Sequence, residues 1–153
     1  MKTVLLFSAL ILFGLVSCNK DKFQTIPQLK FKSKNTDLVL LNHSQRVTLE
    51  YTDKEGDVDY SLIVVRKILN RRGPLTLPAS PYTIPAFTNT DKGEFEITLS
   101  YQFGLIFGIP ALRIPGSNPA QNEPDTLILK FVARDKAGNK SDTLTVSNIF
   151  VTR

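Results

Sequence analysis

Asp125-Thr126-Leu127-Ile128-Leu129-Lys130-Phe131-Val132-Ala133-Arg134 places Leu127, Leu129, Phe131 and Ala133 at every second position. Successive side chains of a strand point to opposite faces, so a period of two marks a strand with one face turned to a core. Working outward, Gln45–Tyr51 repeats the pattern with Val47, Leu49 and Tyr51, and Glu94–Tyr101 repeats it with Phe95, Ile97, Leu99 and Tyr101. Gln28–Lys32 alternates over a shorter length, and Asp37–Leu41 reads as a further short strand. Asp59–Leu69 is β-branched and almost continuously apolar, as expected of a strand covered on both faces or nearly so. Thr143–Thr152 starts in phase with Leu144 and Val146, then changes phase at Ser147-Asn148, where a β-bulge is expected.

No segment carries a helical period. Seven short strands separated by turn signals predict an all-β chain, an immunoglobulin-like antiparallel β-sandwich of about seven strands. The cysteine pair and buried tryptophan of antibody domains are missing, since the chain holds one Cys and no Trp. Two stretches interrupt the alternation. Residues 70–89 and 102–124 each hold four prolines, and the second opens with Phe103, Leu105, Ile106, Phe107, Ile109, Leu112 and Ile114. Such a segment plugs an open end of the sandwich or offers an apolar patch to a partner. The plug is the expectation, because large exposed apolar patches are rare on monomers.

The N-terminus reads differently. Met1-Lys2 supplies a positive charge, and Thr3 to Val16 is a nearly unbroken apolar run of 14 residues. A membrane-spanning helix needs about 20, so this run suits a cleaved secretory signal better than a permanent anchor. It closes on Leu15-Val16-Ser17-Cys18, which resembles the lipobox of bacterial lipoproteins. That resemblance implies a signal peptide over 1–17, lipid on the thiol of Cys18 (diacylglycerol, with palmitate-type acylation of the new amine), and a tether over 18–27. The sandwich then occupies 28–153. Cys18 is the only cysteine, so no internal disulfide is possible. Removing 17 residues from 153 leaves 136, one ordinary domain, and loss of Lys2 lowers the formal charge from +5 to +4. Lys20, Lys22, Lys30, Lys32 and Lys34 crowd the start of the mature chain and suit a solvated tether near anionic head groups. With no basic motif or aromatic ladder, nucleic acid is not an expected partner.

Asp53-Lys54-Glu55-Gly56-Asp57-Val58-Asp59 sets carboxylates at 53, 55, 57 and 59 around a glycine. Hard cations take clustered oxygen ligands on a flexible loop, so Asp53, Glu55, Asp57 and Asp59 are the candidate ligands of a calcium ion, the one cofactor the sequence suggests. The stretch is not an EF-hand: the glycine is fourth rather than sixth, and the twelfth position is Val64. A plain turn, with Asp side chains bonded to their own backbone, explains the same residues. Further on, Asp135 to Asn139 turns between the last two strands. Asp135 would add a ligand if the fold brought it to Asp53, which spacing does not decide.

Tyr51–Val58, Ile84-Pro85-Ala86-Phe87, Lys92–Ile97 and Arg134–Ser141, in that order after a lipobox, resemble a group of small Bacteroidota lipoproteins with an immunoglobulin-like β-sandwich. The resemblance spans roughly residues 15–153, a judgement from motif order. It implies a lipid-anchored envelope protein of the outer membrane, on either its periplasmic or its outer face. Asn19 after the cysteine, in place of the Asp of enterobacterial inner-membrane retention, agrees with that destination. Glu55 stands where the group usually has Asp, which lengthens one arm of the acidic turn.

Chemistry of other kinds finds little support. His43 is the only histidine and lies in Leu41-Asn42-His43-Ser44, with no nucleophile elbow anywhere. One His and one lipidated Cys do not make a zinc site. The expectation is therefore not an enzyme but a non-catalytic envelope lipoprotein, a protein-binding or structural module attached to the membrane through Cys18. The alternative is a glycan-binding surface lipoprotein stacking sugars on Tyr51, Tyr60, Tyr82 or Tyr101.

Overall fold

The computed structural model describes residues 25–58, 61–70, 72, 74–84 and 90–153. Cys18 and the signal segment lie outside the described residues, as do Asp59, Tyr60 and residues 85–89. Nine strands are found among the described residues: β1 (Gln28–Lys34), β2 (Leu38–Val39), β3 (Ser44–Thr52), β4 (Ser61–Ile68), β5 (Leu75–Thr76), β6 (Ser80–Tyr82), β7 (Lys92–Ser100), β8 (Asp125–Arg134) and β9 (Leu144–Val151). They form two sheets, one in the order β1-β3-β7 and the other β2-β9-β8-β4-β5, with β6 also paired to β4. All pairings are antiparallel except β2 with β9. This is an immunoglobulin-like β-sandwich.

The period of two explains the core. β3 turns Val47, Leu49 and Tyr51 inward, β7 adds Phe95, Ile97 and Leu99, and β8 faces them with Leu127, Leu129, Phe131 and Ala133. Each fully buried Leu or Phe is worth about 1.5–3 kcal/mol over leaving it in water, so β8, fully buried on its inner face, is the centre of the energetics. Tyr51 stacks on Phe95 across the β3–β7 pair at 4.4 Å between ring centroids.

The seven expected strands are all present, as β1–β4 and β7–β9. The proline-rich stretch 70–89 adds β5 and β6, which only edge β4; Pro81 sits opposite Ile63 on that edge, where a missing N–H costs no ladder bond. The phase change in β9 is a bulge: Leu127 faces Ile149 while Leu129 faces Val146, and Asn148 takes a φ of 57°. Lys34 Nζ donates to the carbonyls of Ser147 and Asn148 at 2.7 Å each, satisfying the disturbed backbone. β1 departs at Phe31 from the half-buried strand its alternation suggests. Its register slips between Phe31 and Ser33, and Phe31 is 44% exposed.

The pairings define two poles. Gln28 opposite Thr52, Thr52 opposite Lys92, and Ser61 opposite Arg134 mark one end, where β1 begins. Ser44 opposite Ser100 and Asp125 opposite Val151 mark the other, about 27 Å away along the nine residues of β3. A π-helical turn, Tyr101–Ile106, covers this far pole. Leu105 in it and Ile109 just after it are buried, the Tyr101 hydroxyl donates to the Thr152 carbonyl at 2.7 Å, and Arg66 Nη1 donates to the carbonyls of Leu105 and Phe107 at 3.0 and 3.1 Å. The expected plug is real, but it also exposes an apolar patch. Phe103 is 75% and Phe107 60% exposed, their rings 6.3 Å apart.

Candidate metal centre

At the pole where β1 begins, two five-residue turns face each other: Asp53-Lys54-Glu55-Gly56-Asp57 after β3 and Asp135-Lys136-Ala137-Gly138-Asn139 after β8. They are built alike. In each, the glycine at the fourth place has positive φ, 65° at Gly56 and 93° at Gly138. Each glycine N–H donates to the carbonyl of its leading aspartate, at 3.2 Å in both turns. In each, the N–H of the fifth residue donates to the leading carboxylate, Asp57 to Asp53 Oδ2 at 3.0 Å and Asn139 to Asp135 Oδ1 at 2.7 Å. An aspartate that caps its own turn and a glycine free to take positive φ suffice for this shape. The Asp53 N–H also donates to the Asp91 carbonyl at 2.8 Å, tying the first turn to the lead-in of β7.

The fifth residue separates the twins. Asn139 Nδ2 donates to Asp135 Oδ2 at 2.7 Å, so both oxygens of the Asp135 carboxylate, only 3% exposed, are satisfied. Asp57 has no amide to give. Asp53 is 0% exposed, and its Oδ1 accepts no hydrogen bond; nor does the enclosed Oδ1 of Asp57. A buried acceptor without a donor ordinarily costs about 1–3 kcal/mol, more when charged. Burial raises the Asp53 pKa, against the Asp57 N–H that lowers it; the Asp57 carboxyl, through its charge and its closeness to the Asp53 carboxyl, and the charge of Glu55 add to the rise.

Asp53, Asp57 and Asp135 each direct an oxygen into one spot, all three within 4.8 Å of one another. Calcium holds its oxygens at 2.3–2.6 Å, so two ligands of one ion stand at most about 5 Å apart. The spacing fits. Of the four residues the sequence nominates, the fold brings Asp53 and Asp57 together, leaves Glu55 exposed and outside the group, and Asp59 lies outside the described residues. Asp135, 82 places after Asp53, completes the set. The repeated Asp-Lys-x-Gly spacing is the sequence signal that connects the two turns.

The remaining candidates take no part in this group. His43 is exposed near the opposite pole, its Nδ1 donating to the Leu41 carbonyl at 2.9 Å. Tyr51 and Tyr101 are buried, and Tyr82 is half-buried. A cavity of about 360 Å³ opens beside β6 and β7, with Tyr51, Tyr82, Phe95 and Ile97 in its lining along with the acidic Glu94 and Glu96. Among the described residues no helix is long and apolar enough to cross a membrane.

Fold and corner together define a two-layer β-sandwich with a carboxylate cluster between its β3–β4 and β8–β9 turns. No protein-family model matches the chain, and no curated protein matches its sequence. Solved structures similar in fold include Spo0M, the sporulation control protein of Bacillus subtilis, at 12% identity and a TM-score of 0.45 over 84% of this chain. Another is a Niemann-Pick type C2 protein from the Japanese carpenter ant, at 11% identity and a TM-score of 0.41, over 83% of this chain and 93% of that one. The chain spans about half (50%) the length of Spo0M. Both likenesses concern the sandwich alone.

Proposed function

We propose that the chain is a non-catalytic cell-envelope lipoprotein, held on the outer membrane by lipid on Cys18, whose sandwich presents a protein-binding face at the pole away from the membrane. The anchor rests on Leu15-Val16-Ser17-Cys18 closing an apolar run. The observation that carries the binding face is the opposition of the poles. The tether meets the sandwich at Gln28, whereas Phe103 and Phe107 stand exposed at the other end, about 27 Å along the strands. Exposed aromatics are enriched at the centres of protein interfaces, and the turn bearing these two is fixed from below by Leu105 and Arg66. The glycan-binding alternative has less support, because Tyr101 is buried, the Tyr51 ring is buried and stacked on Phe95, and only the half-buried Tyr82 remains beside the cavity.

Two measurements test this. Mass spectrometry of the chain from its native host should find a lipid-modified Cys18 at the N-terminus, and Cys18→Ala should stay unprocessed; an intact Met1 with a free thiol overturns the anchor. A photo-crosslinking side chain at Phe107 should capture a discrete protein in intact cells, and one at Lys92, on the tether pole, should not. Equal crosslinking from both positions, or crosslinking to lipid from Phe107, overturns the distal binding face.

A further inference from the structure

We propose that Asp53, Asp57 and Asp135 form a calcium site that clamps the β3–β4 turn to the β8–β9 turn. The proposal stands apart from the anchoring reading, since an unlipidated chain has the same corner. Its basis is the contrast between the twin turns. Where the fifth residue is Asn139, the side-chain amide completes the buried carboxylate of Asp135. Where the fifth residue is Asp57, the fully buried Asp53 keeps an oxygen with no donor, and Asp57 keeps another. A solvated acidic turn would put those oxygens in water. These are enclosed, on two of the three residues whose carboxylates, with that of Asp135, each bring an oxygen within 4.8 Å of the others.

The donor set is all oxygen, with no nitrogen or sulfur in the group, which selects a hard cation. Three carboxylates brought this close repel one another, and a divalent ion relieves that repulsion. Calcium accepts irregular sets of 6–8 oxygens completed by carbonyls and water, whereas magnesium demands a near-ideal octahedron and sheds water reluctantly. Asn139 acts as a positioning residue: it holds both Asp135 oxygens from behind and leaves their remaining lone pairs toward the ion.

The test uses the full chain, solubilised in detergent and stripped of divalent ions with a chelator. Calcium at a hundredfold excess over Kd should raise Tm by roughly 5–10 °C, with one ion per chain by titration calorimetry, and magnesium should do little. Asp57→Asn gives the sharper readout. Its new amide reproduces the Asn139 arrangement, so the metal-free variant should melt above the metal-free wild type and lose most of the calcium response. With calcium present, the order should reverse. Asp135→Asn should weaken calcium binding tenfold or more. Glu55→Gln, at an exposed position outside the group, removes only a weak charge felt at Asp53 and should keep most of the affinity and of the Tm shift. A wild-type melting curve indifferent to calcium overturns the proposal; so does Asp57→Asn with a full response, or loss of the response in Glu55→Gln.

Discussion

Replacing Gly56 with alanine adds one methyl group at the tightest point of the acidic corner. Two costs can be read from the structure. The backbone there has a φ of +65°, a conformation that costs a residue with a Cβ about 1–2 kcal/mol. The new Cβ would also lie 2.7 Å from the carbonyl carbon of Thr90 and 2.9 Å from its N and O, all backbone atoms that cannot rotate away. Overpacking of that kind costs about 1–3 kcal/mol, so the sum for Gly56→Ala is about 2–5 kcal/mol. Two other glycines separate the contributions. Gly116 has a φ of +73° with nothing within 4 Å of a Cβ, and Gly138 a φ of +93° with only Arg134 Nη2, at 3.4 Å, in reach of a side chain that moves. Gly116→Ala and Gly138→Ala should therefore show the backbone cost alone, about 1–2 kcal/mol. Urea unfolding followed by fluorescence or circular dichroism measures all three. With an m-value of about 1–3 kcal/mol/M, the midpoint of Gly56→Ala should fall below those of its two controls by on the order of 1 M. If the three variants unfold together, the turn does not press on the strand leading into β7, and the rigid acidic corner argued above is wrong.

Arg66→Met removes the two donors that hold the carbonyls of Leu105 and Phe107 but keeps the aliphatic stem. It should cost about 1–3 kcal/mol and speed amide hydrogen exchange in residues 101–109 ahead of the rest of the sandwich; uniform exchange across the domain would show that the π-helical turn does not open by itself. Asp125 titrates with a definite sign. Burial raises its pKa from the ordinary 3.8, although Arg153 Nε, 3.1 Å away but not aligned for a hydrogen bond, pulls it down. A carboxyl that is harder to ionise folded than unfolded favours the fold fully below pH 3.8, and that advantage is lost as pH rises through the folded pKa. The stability of wild type relative to Asp125→Asn, followed by urea titration upward from pH 3, should fall over that window and then level off. A difference that grows with pH would mean the Arg153 charge outweighs burial.

The sandwich was legible because its signal is local and redundant. Each long strand states its inner face through alternation, and the bulge in β9 states itself through two polar residues in succession, Ser147 and Asn148. β1 forms with Leu29 on the core, and only Phe31 departs from its alternation, for an equally local reason. One extra residue between Phe31 and Ser33 changes which side faces inward, and alternation alone does not reveal a slipped register. The π-helical turn, six residues long, is too short to display a period, and its apolar side chains divide between two tasks. Leu105 and Ile109 go into the sandwich while Phe103 and Phe107 stay outside, and their order in the chain does not distinguish them.

The corner site was half legible. Asp53 and Asp57 lie four residues apart in one turn, so their meeting is a property of that turn. Glu55, between them, was nominated on charge alone; a five-residue turn points its middle outward, and the residue is exposed. Asp135 arrives from 82 residues away because β4 pairs with β8, with Ser61 opposite Arg134, which returns the end of β8 to the end where β3 turns into β4. That pairing is a choice among strands of similar pattern, and no spacing encodes it. What the sequence does encode is the repeat, Asp-Lys-x-Gly followed once by Asp and once by Asn. Two copies of one self-capping turn, set face to face, would each complete their leading carboxylate from within if both ended in Asn, as Asn139 does for Asp135. The single exchange to Asp57 removes a donor, adds a charge and orphans two enclosed oxygens, which is unfavourable for a turn alone and suited to one that closes on a cation.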